Sequence, residues 1–271
     1  MSVKLLLVGC GNMGFAMLDG WVRSGKLVPG EVFAIEPNEA LRERAAKLGV
    51  AVAASADDVP AGIDPTVVIF AVKPQMMRDV VPAYRRFTDK AAFVSIAAGT
   101  GVAALESLLG SDVPIIRCMP NTPAAIGKGM MVVYANGSVS AETKAFVSEL
   151  LSASGEVAEI DDERLMDAVT AVSGSGPAYV FHFIECLAAA GEKAGLPAEV
   201  AKLLAMQTVY GAASLARESG EEPGRLREQV TSPNGTTAAA LGVLMGGDRL
   251  KSLVADAVEA ARARGEELGK S

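Results

Sequence analysis

The chain has one histidine and three cysteines, Cys10, Cys118 and Cys186, among its 271 residues. A single imidazole rules out a histidine-rich metal centre. Three widely separated thiols form neither a disulfide framework nor a C-x-x-C zinc site, so no metal is expected, and a reducing cytoplasm suits the chain best. A basic block is also missing. The 25 Lys and Arg residues face 32 Asp and Glu, a net charge of −7, which argues against a nucleic-acid surface. No apolar run approaches the roughly 20 residues of a membrane span, so no membrane partner is expected. The opening Leu5-Leu6-Leu7-Val8-Gly9-Cys10 looks superficially like a lipoprotein cleavage site, but the run is too short for a signal segment and a first β-strand accounts for it. What the chain does have is apolar mass. Half its residues are hydrophobic and 21% are charged, as in a folded globular protein with room for one large domain or two modest ones.

The pattern divides near residue 160. Up to there, apolar strand-like runs (Leu5–Val8, Glu31–Ile35, Thr66–Val72, Ala92–Ile96, Pro114–Arg117) alternate with helical stretches such as Asn12–Ser24 and Asn38–Leu48. Met130–Tyr134 and Glu156–Ile160 read as edge strands flanking a helix over Ala141–Ser152. Repeated β-α alternation predicts an α/β fold, a doubly wound Rossmann-like sheet over 1–160. Over 161–271 strand signals vanish and alanine-rich helices take over, predicting an all-α domain. Pro177–Ala194 is apolar nearly all round, which implies burial on every side and a second subunit to provide it. Leu250, Leu253, Val254, Ala257, Val258 and Ala261 line one helical face.

Gly9-Cys10-Gly11-Asn12-Met13-Gly14 is a G-x-G-x-x-G turn between a strand and a helix. Gly9 permits the tight turn, Gly11 lets backbone approach a pyrophosphate, and Gly14 lets helix and strand pack closely. Glu36 lies 22 residues beyond Gly14, at the end of the second strand. A carboxylate there accepts a ribose 2′-hydroxyl and repels a 2′-phosphate, which favours NADH. Arg42 and Arg44, in the next helix, are within reach of a phosphate. In open α/β sheets the ligand lies outside the carboxyl ends of the strands. Three further ends carry polar or proline-containing loops: Ala71-Val72-Lys73-Pro74, Ala97-Ala98-Gly99, and Met119-Pro120-Asn121-Thr122-Pro123.

In the helical half, Ser173-Gly174-Ser175-Gly176-Pro177 and Ser232-Pro233-Asn234-Gly235-Thr236-Thr237 each open a helix with hydroxyls. Spacing alone serves a helix cap and a carboxylate site equally well. His182 sits inside Val180-Phe181-His182-Phe183-Ile184 and reads as a packed core residue, and Cys10 reads as a small apolar filler. With no free histidine and no metal, the chemistry must need little proton transfer from the protein. Hydride delivery to an imine that arrives protonated meets that restriction. Lys193 and Lys202 lie in surface-like helical settings, unlike the catalytic lysine of β-hydroxyacid reductases on the same plan. The intact hydroxyl segments argue against a binding protein without turnover.

Taken in order, these six motifs resemble those of the pyrroline-5-carboxylate reductases, and the resemblance spans essentially the whole chain. It implies hydride transfer from NADPH or NADH to the C=N carbon of 1-pyrroline-5-carboxylate (C5 of the product), giving L-proline, by a homodimer with interlocked helical domains that in some members forms decamers. It also implies roles by position. Ser232, Gly235, Thr236 and Thr237 would hold the substrate, with Thr237 nearest the ring nitrogen. Lys73, Asn121 and Ser175 would line the cofactor junction, and Thr237, Ser175 and Lys73 would be the catalytic residues. Two positions depart from the family pattern. Asn234-Gly235 stands where Gly-Gly is common, a change the loop can absorb because asparagine tolerates left-handed backbone. Glu36 stands where many NADPH-using relatives lack an acid.

Overall fold

The structure is a computed structural model and describes residues 3–269. Contacts divide the chain into two compact units, one running to Ser175 and resuming at Ala261, the other spanning Gly176–Ala260. The change of contacts at 176 thus follows the change of composition at 161. The first unit regains the end of the last helix, a return that composition does not signal.

The first unit is built on one sheet of eight strands: β1 (Leu5–Val8), β2 (Val32–Ile35), β3 (Ala51–Ala53), β4 (Val67–Phe70), β5 (Ala92–Ser95), β6 (Ile115–Met119), β7 (Gly129–Ala135) and β8 (Gly155–Glu159). Their order is β3-β2-β1-β4-β5-β6-β7-β8. All neighbours are parallel except β6 and β7, with Leu5 opposite both Val32 and Val67. Helices α1 (Asn12–Arg23), α2 (Glu39–Ala46), α3 (Met77–Val80), α4 (Val102–Leu109), α5 (Ala141–Leu151) and α6 (Met166–Val169) provide the crossovers and covering layers.

Strands β1, β2 and β4 are apolar at every position because both faces of the sheet are covered there, and alternate residues feed two separate cores. Leu5, Leu7, Ile69 and Val94 join Met17, Trp21 and Leu150 on one face. Leu6, Val8, Phe70 and Phe93 join Tyr84 and Leu105 on the other. Trp21 is fully buried, and its indole N–H donates to the Leu150 carbonyl at 3.0 Å, so its one polar atom is satisfied. Strand β3 was not legible in sequence. It is three residues long, lies at the sheet edge and is partly exposed. Strand β7 is not an edge strand as expected, since it lies between β6 and β8.

The second unit is helical: α7 (Gly176–Lys193), α8 (Ala198–Ser219), α9 (Pro223–Gln229), α10 (Thr236–Met245) and the first turns of α11 (Arg249–Gly269). The expected burial of α7 on every side is not met within one chain. Only Ala188 of that helix is buried, while Val180, Phe181, Phe183 and Leu187 are exposed. Leu253 and Val254 of α11 are exposed too. Among the described residues no helix is long and apolar enough to cross a membrane.

Candidate active site

Strands β1, β2, β4, β5 and β6 run parallel, so the segments that follow them emerge at one edge of the sheet. The order of strands reverses beside β1, with β2 and β3 on one side and β4 to β6 on the other. That is the switch point where open sheets bind ligands. The glycine turn lies there. Gly9 takes φ +93° and a Cβ on it would lie 2.8 Å from the Ala71 carbonyl oxygen, so only glycine fits. Gly14 presses α1 against the turn, for a Cβ there would meet the Gly9 carbonyl oxygen at 2.3 Å. A Cβ on Gly11 would meet nothing within 4 Å. No side chain caps α1, and its first turn carries no acid. The N–H groups at the start of α1 therefore face an open surface with the positive end of the helix dipole behind them, a setting that suits a dinucleotide pyrophosphate.

Glu36 is buried, and its carboxylate turns towards the glycine turn. Oε2 accepts the Cys10 N–H at 2.7 Å, and Oε1 accepts the Asn38 N–H at 2.9 Å. Each oxygen keeps a lone pair for a ribose hydroxyl. Arg42 donates to the Glu36 and Pro37 carbonyls, and Arg44 to the Cys10 and Gly11 carbonyls. Cys10 itself is fully buried, and burial pushes its thiol up to about 11, which leaves it an inert filler.

Ala71, Val72, Lys73 and Pro74 follow β4, with Lys73 exposed at the start of a short 3-10 turn. Ala97, Ala98 and Gly99 follow β5, and Gly99 takes φ +72° with the end of α11 against it. Met119 ends β6. Asn121 ties its loop to the next segments, donating to the Ser173 carbonyl at 3.1 Å and accepting the Met130 N–H at 2.8 Å. The segment leading to Ser175 forms a π-helical turn over Thr170–Gly174, with the Ser175 N–H donating to the Thr170 carbonyl at 2.8 Å. A Cβ on Gly174 would lie 2.5 Å from the Met119 Cε, the flexible end of that side chain, which would have to swing aside. Sequence reading missed this turn. It also missed Glu163, whose Oε1 accepts from Arg117 at 2.8 Å and from the Val102 N–H at 2.7 Å, bracing β6 and the start of α4. Separations of 46 and 61 residues hide such links from local patterns.

In the second unit the hydroxyl loop precedes α10. The N-cap is Gly235, which has no side chain to bond the first N–H groups of this helix, and Ser232, Thr236 and Thr237 are not at the capping position. Thr231 donates back to the Arg227 carbonyl. Asn234 has φ 59°, a left-handed conformation that asparagine tolerates better than other non-glycine residues. His182 is not a core residue of this chain. Its side chain is 75% exposed, with Nδ1 3.0 Å from Glu185 Oε2 and Nε2 3.6 Å from Cys186 Sγ. The apolar neighbours that suggested a core are themselves exposed on α7.

Two family models match the chain. One describes "NADP oxidoreductase coenzyme F420-dependent" proteins and covers residues 4–99; the other, "Pyrroline-5-carboxylate reductase dimerisation", covers 163–268. Curated pyrroline-5-carboxylate reductases match over nearly the full length. That of Pseudomonas aeruginosa is 41% identical over 98% of this chain and 97% of its own, and that of Pisum sativum is 40% identical over 98% and 96%. Among solved structures, the Coxiella burnetii pyrroline-5-carboxylate reductase superposes with a TM-score of 0.93 at 32% identity, covering all of both chains. The Plasmodium falciparum pyrroline carboxylate reductase, solved with NADP bound, superposes with a TM-score of 0.85 at 31% identity over 98% of each chain. The chain is thus an oxidoreductase with a nicotinamide-cofactor domain and a dimerisation domain that points to self-association. With full-length identity of this order on a matching two-part architecture, the chain belongs to the pyrroline-5-carboxylate reductase family.

Proposed function

We propose that the protein reduces 1-pyrroline-5-carboxylate to L-proline in the cytoplasm, with NADH as the preferred hydride donor, as a homodimer able to assemble into decamers. The observation that carries the substrate reading is the uncapped start of α10, where Gly235 opens the helix with no side-chain bond to its N–H groups. A substrate carboxylate would take those N–H groups together with the hydroxyls of Ser232 and Thr236. Thr237, in the first turn, would hydrogen-bond the ring nitrogen as its positive charge is lost. Lys73, Asn121 and Ser175 would border the nicotinamide.

When bound, the reduced nicotinamide supplies the hydride that adds to the C=N carbon of the iminium (C2 of the pyrroline, C5 of the proline product), and the C=N π electrons become the amine lone pair. The protein's share is orientation and exclusion of water, since the iminium is electrophilic without an acid catalyst. Glu36 supports NADH, because its buried carboxylate would accept the ribose 2′-hydroxyl, and a 2′-phosphate in that place would set about two more negative charges beside it. Exposed apolar faces on α7 and α11 support dimerisation.

The test is a pair of assays on purified protein with 1-pyrroline-5-carboxylate and either NADH or NADPH, for wild type and Glu36→Gln. We expect turnover with both cofactors, a higher kcat/KM with NADH, and loss of that preference in Glu36→Gln. No cofactor oxidation with either would remove the substrate reading. An NADPH preference in wild type would remove the cofactor reading alone.

A further inference from the structure

We propose that Arg44 is a positioning residue for the cofactor, acting through the glycine turn and not on the 2′ end of the adenosine. The inference rests on the dinucleotide reading of that turn. The Arg44 guanidinium lies 4.0 Å over the Phe15 ring, and Nη2 donates to the carbonyl oxygens of Cys10 at 3.0 Å and Gly11 at 3.2 Å. No peptide bond among the described residues is cis. In a trans peptide the C=O and the following N–H point in opposite directions. Drawing the Cys10 and Gly11 carbonyls to the guanidinium therefore aims the Gly11 and Asn12 N–H groups away from it. Beside Gly11 there is open space on which no side chain encroaches.

The other side of Cys10 is held as well, because its N–H donates to Glu36. The turn is thus gripped by a cation on two carbonyls and an anion on one amide, which leaves the next two amides to face a phosphate. The guanidinium charge also polarises both peptides towards an anion. Stacked on Phe15, Arg44 is pinned by one face and by its Nη2 edge. A lysine could hold neither the ring nor both carbonyls in that geometry. Sequence reading treats Arg44 as a candidate phosphate ligand, because the carbonyls it holds lie 33 and 34 residues away.

Two readings of Arg44 predict different binding. A ligand of the 2′-phosphate matters to NADPH alone, whereas a residue that aims the turn matters to NADH, NADPH and ADP alike. The experiment is fluorescence titration of NADH and NADPH, and competition by ADP, on Arg44→Met and Arg44→Lys. The methionine keeps the apolar stem over Phe15. The lysine keeps the charge and covers the case in which the methionine variant fails to fold. We expect the Kd of all three ligands to rise by the same factor, about tenfold for loss of charge-assisted hydrogen bonds. KM for the imine at saturating NADH should not change. A loss confined to NADPH, or unchanged Kd for all three ligands, overturns the proposal. Because binding is read without turnover, absence of reductase activity would refute the substrate reading and leave this test intact.

Discussion

Replacing Gly11 and Gly14 by alanine should separate binding from folding within one six-residue turn. At Gly14 the new Cβ would lie 2.3 Å from the Gly9 carbonyl oxygen and 3.1 Å from the Ala71 Cβ. The closer obstacle is backbone, so no rotamer change relieves it, and α1 must shift by about 1 Å against the sheet. Overpacking of this kind costs about 3 kcal/mol at the upper end of its usual range. For a chain of this size that lowers Tm by roughly 5 °C. At Gly11 the backbone is extended, φ −62° and ψ −162°, and the added methyl meets nothing in the chain. Alanine there should hold Tm or raise it slightly, by about 0.4–1 kcal/mol through the unfolded state. Yet the methyl fills the space the pyrophosphate would enter, and a displacement of about 1 Å can cost up to a hundredfold in function. Thermal unfolding without cofactor and NADH titration of each variant are the assays. Wild-type NADH affinity in Gly11→Ala would refute the placement of the phosphate. An unchanged Tm in Gly14→Ala would refute the packing argument.

Thr237→Ala should lower kcat/KM for the imine while leaving the NADH KM nearly unchanged, and wild-type activity would show that Thr237 has no part in the reaction. Asn234→Ala forces an alanine to φ near 59°, at about 1 kcal/mol, and should raise the imine KM, whereas Asn234→Gly should behave as wild type in steady-state kinetics. Burial pushes the Cys10 thiol up to about 11 and the Cys118 thiol up to about 12, from an ordinary value of 9.0. The unfolded chain then loses these protons at lower pH than the folded one, so their contribution to stability is complete below pH 9 and falls as pH rises towards 11–12. Tyr84, raised in the same way, adds to the decline above pH 10. Urea unfolding followed across pH 8–11 should show this loss, reduced in Cys118→Ala, and a flat profile would contradict it.

Much of the first unit was legible because its strands state their environment directly. Leu5-Leu6-Leu7-Val8 is apolar at every position since both faces of β1 are covered, and glycines at 9 and 14 each answer a separate steric demand. Pattern is blind where a feature depends on distant parts of the chain or on very few residues. Strand β3 has three residues at the sheet edge, and the Glu163 carboxylate acts only on groups 46 or more positions away.

His182 shows a different limit. An apolar run in sequence reports that something covers it, and not which molecule does. Phe181, Phe183 and Leu187 around it are exposed in the single chain, so the same hydropathy that marks a core within one subunit marks a contact surface between subunits. The matched dimerisation family over 163–268 agrees with that second meaning. The hydroxyl loop before α10 had the same ambiguity in chemical form, since a serine or threonine at a helix start can serve the helix or a ligand. With Gly235 as the N-cap and Asn234 in the left-handed region, the turn is made by backbone, the Gly235 N–H donating to the Ser232 carbonyl at 3.0 Å, and this is the arrangement on which the proposed ligand role of the Ser232, Thr236 and Thr237 hydroxyls rests.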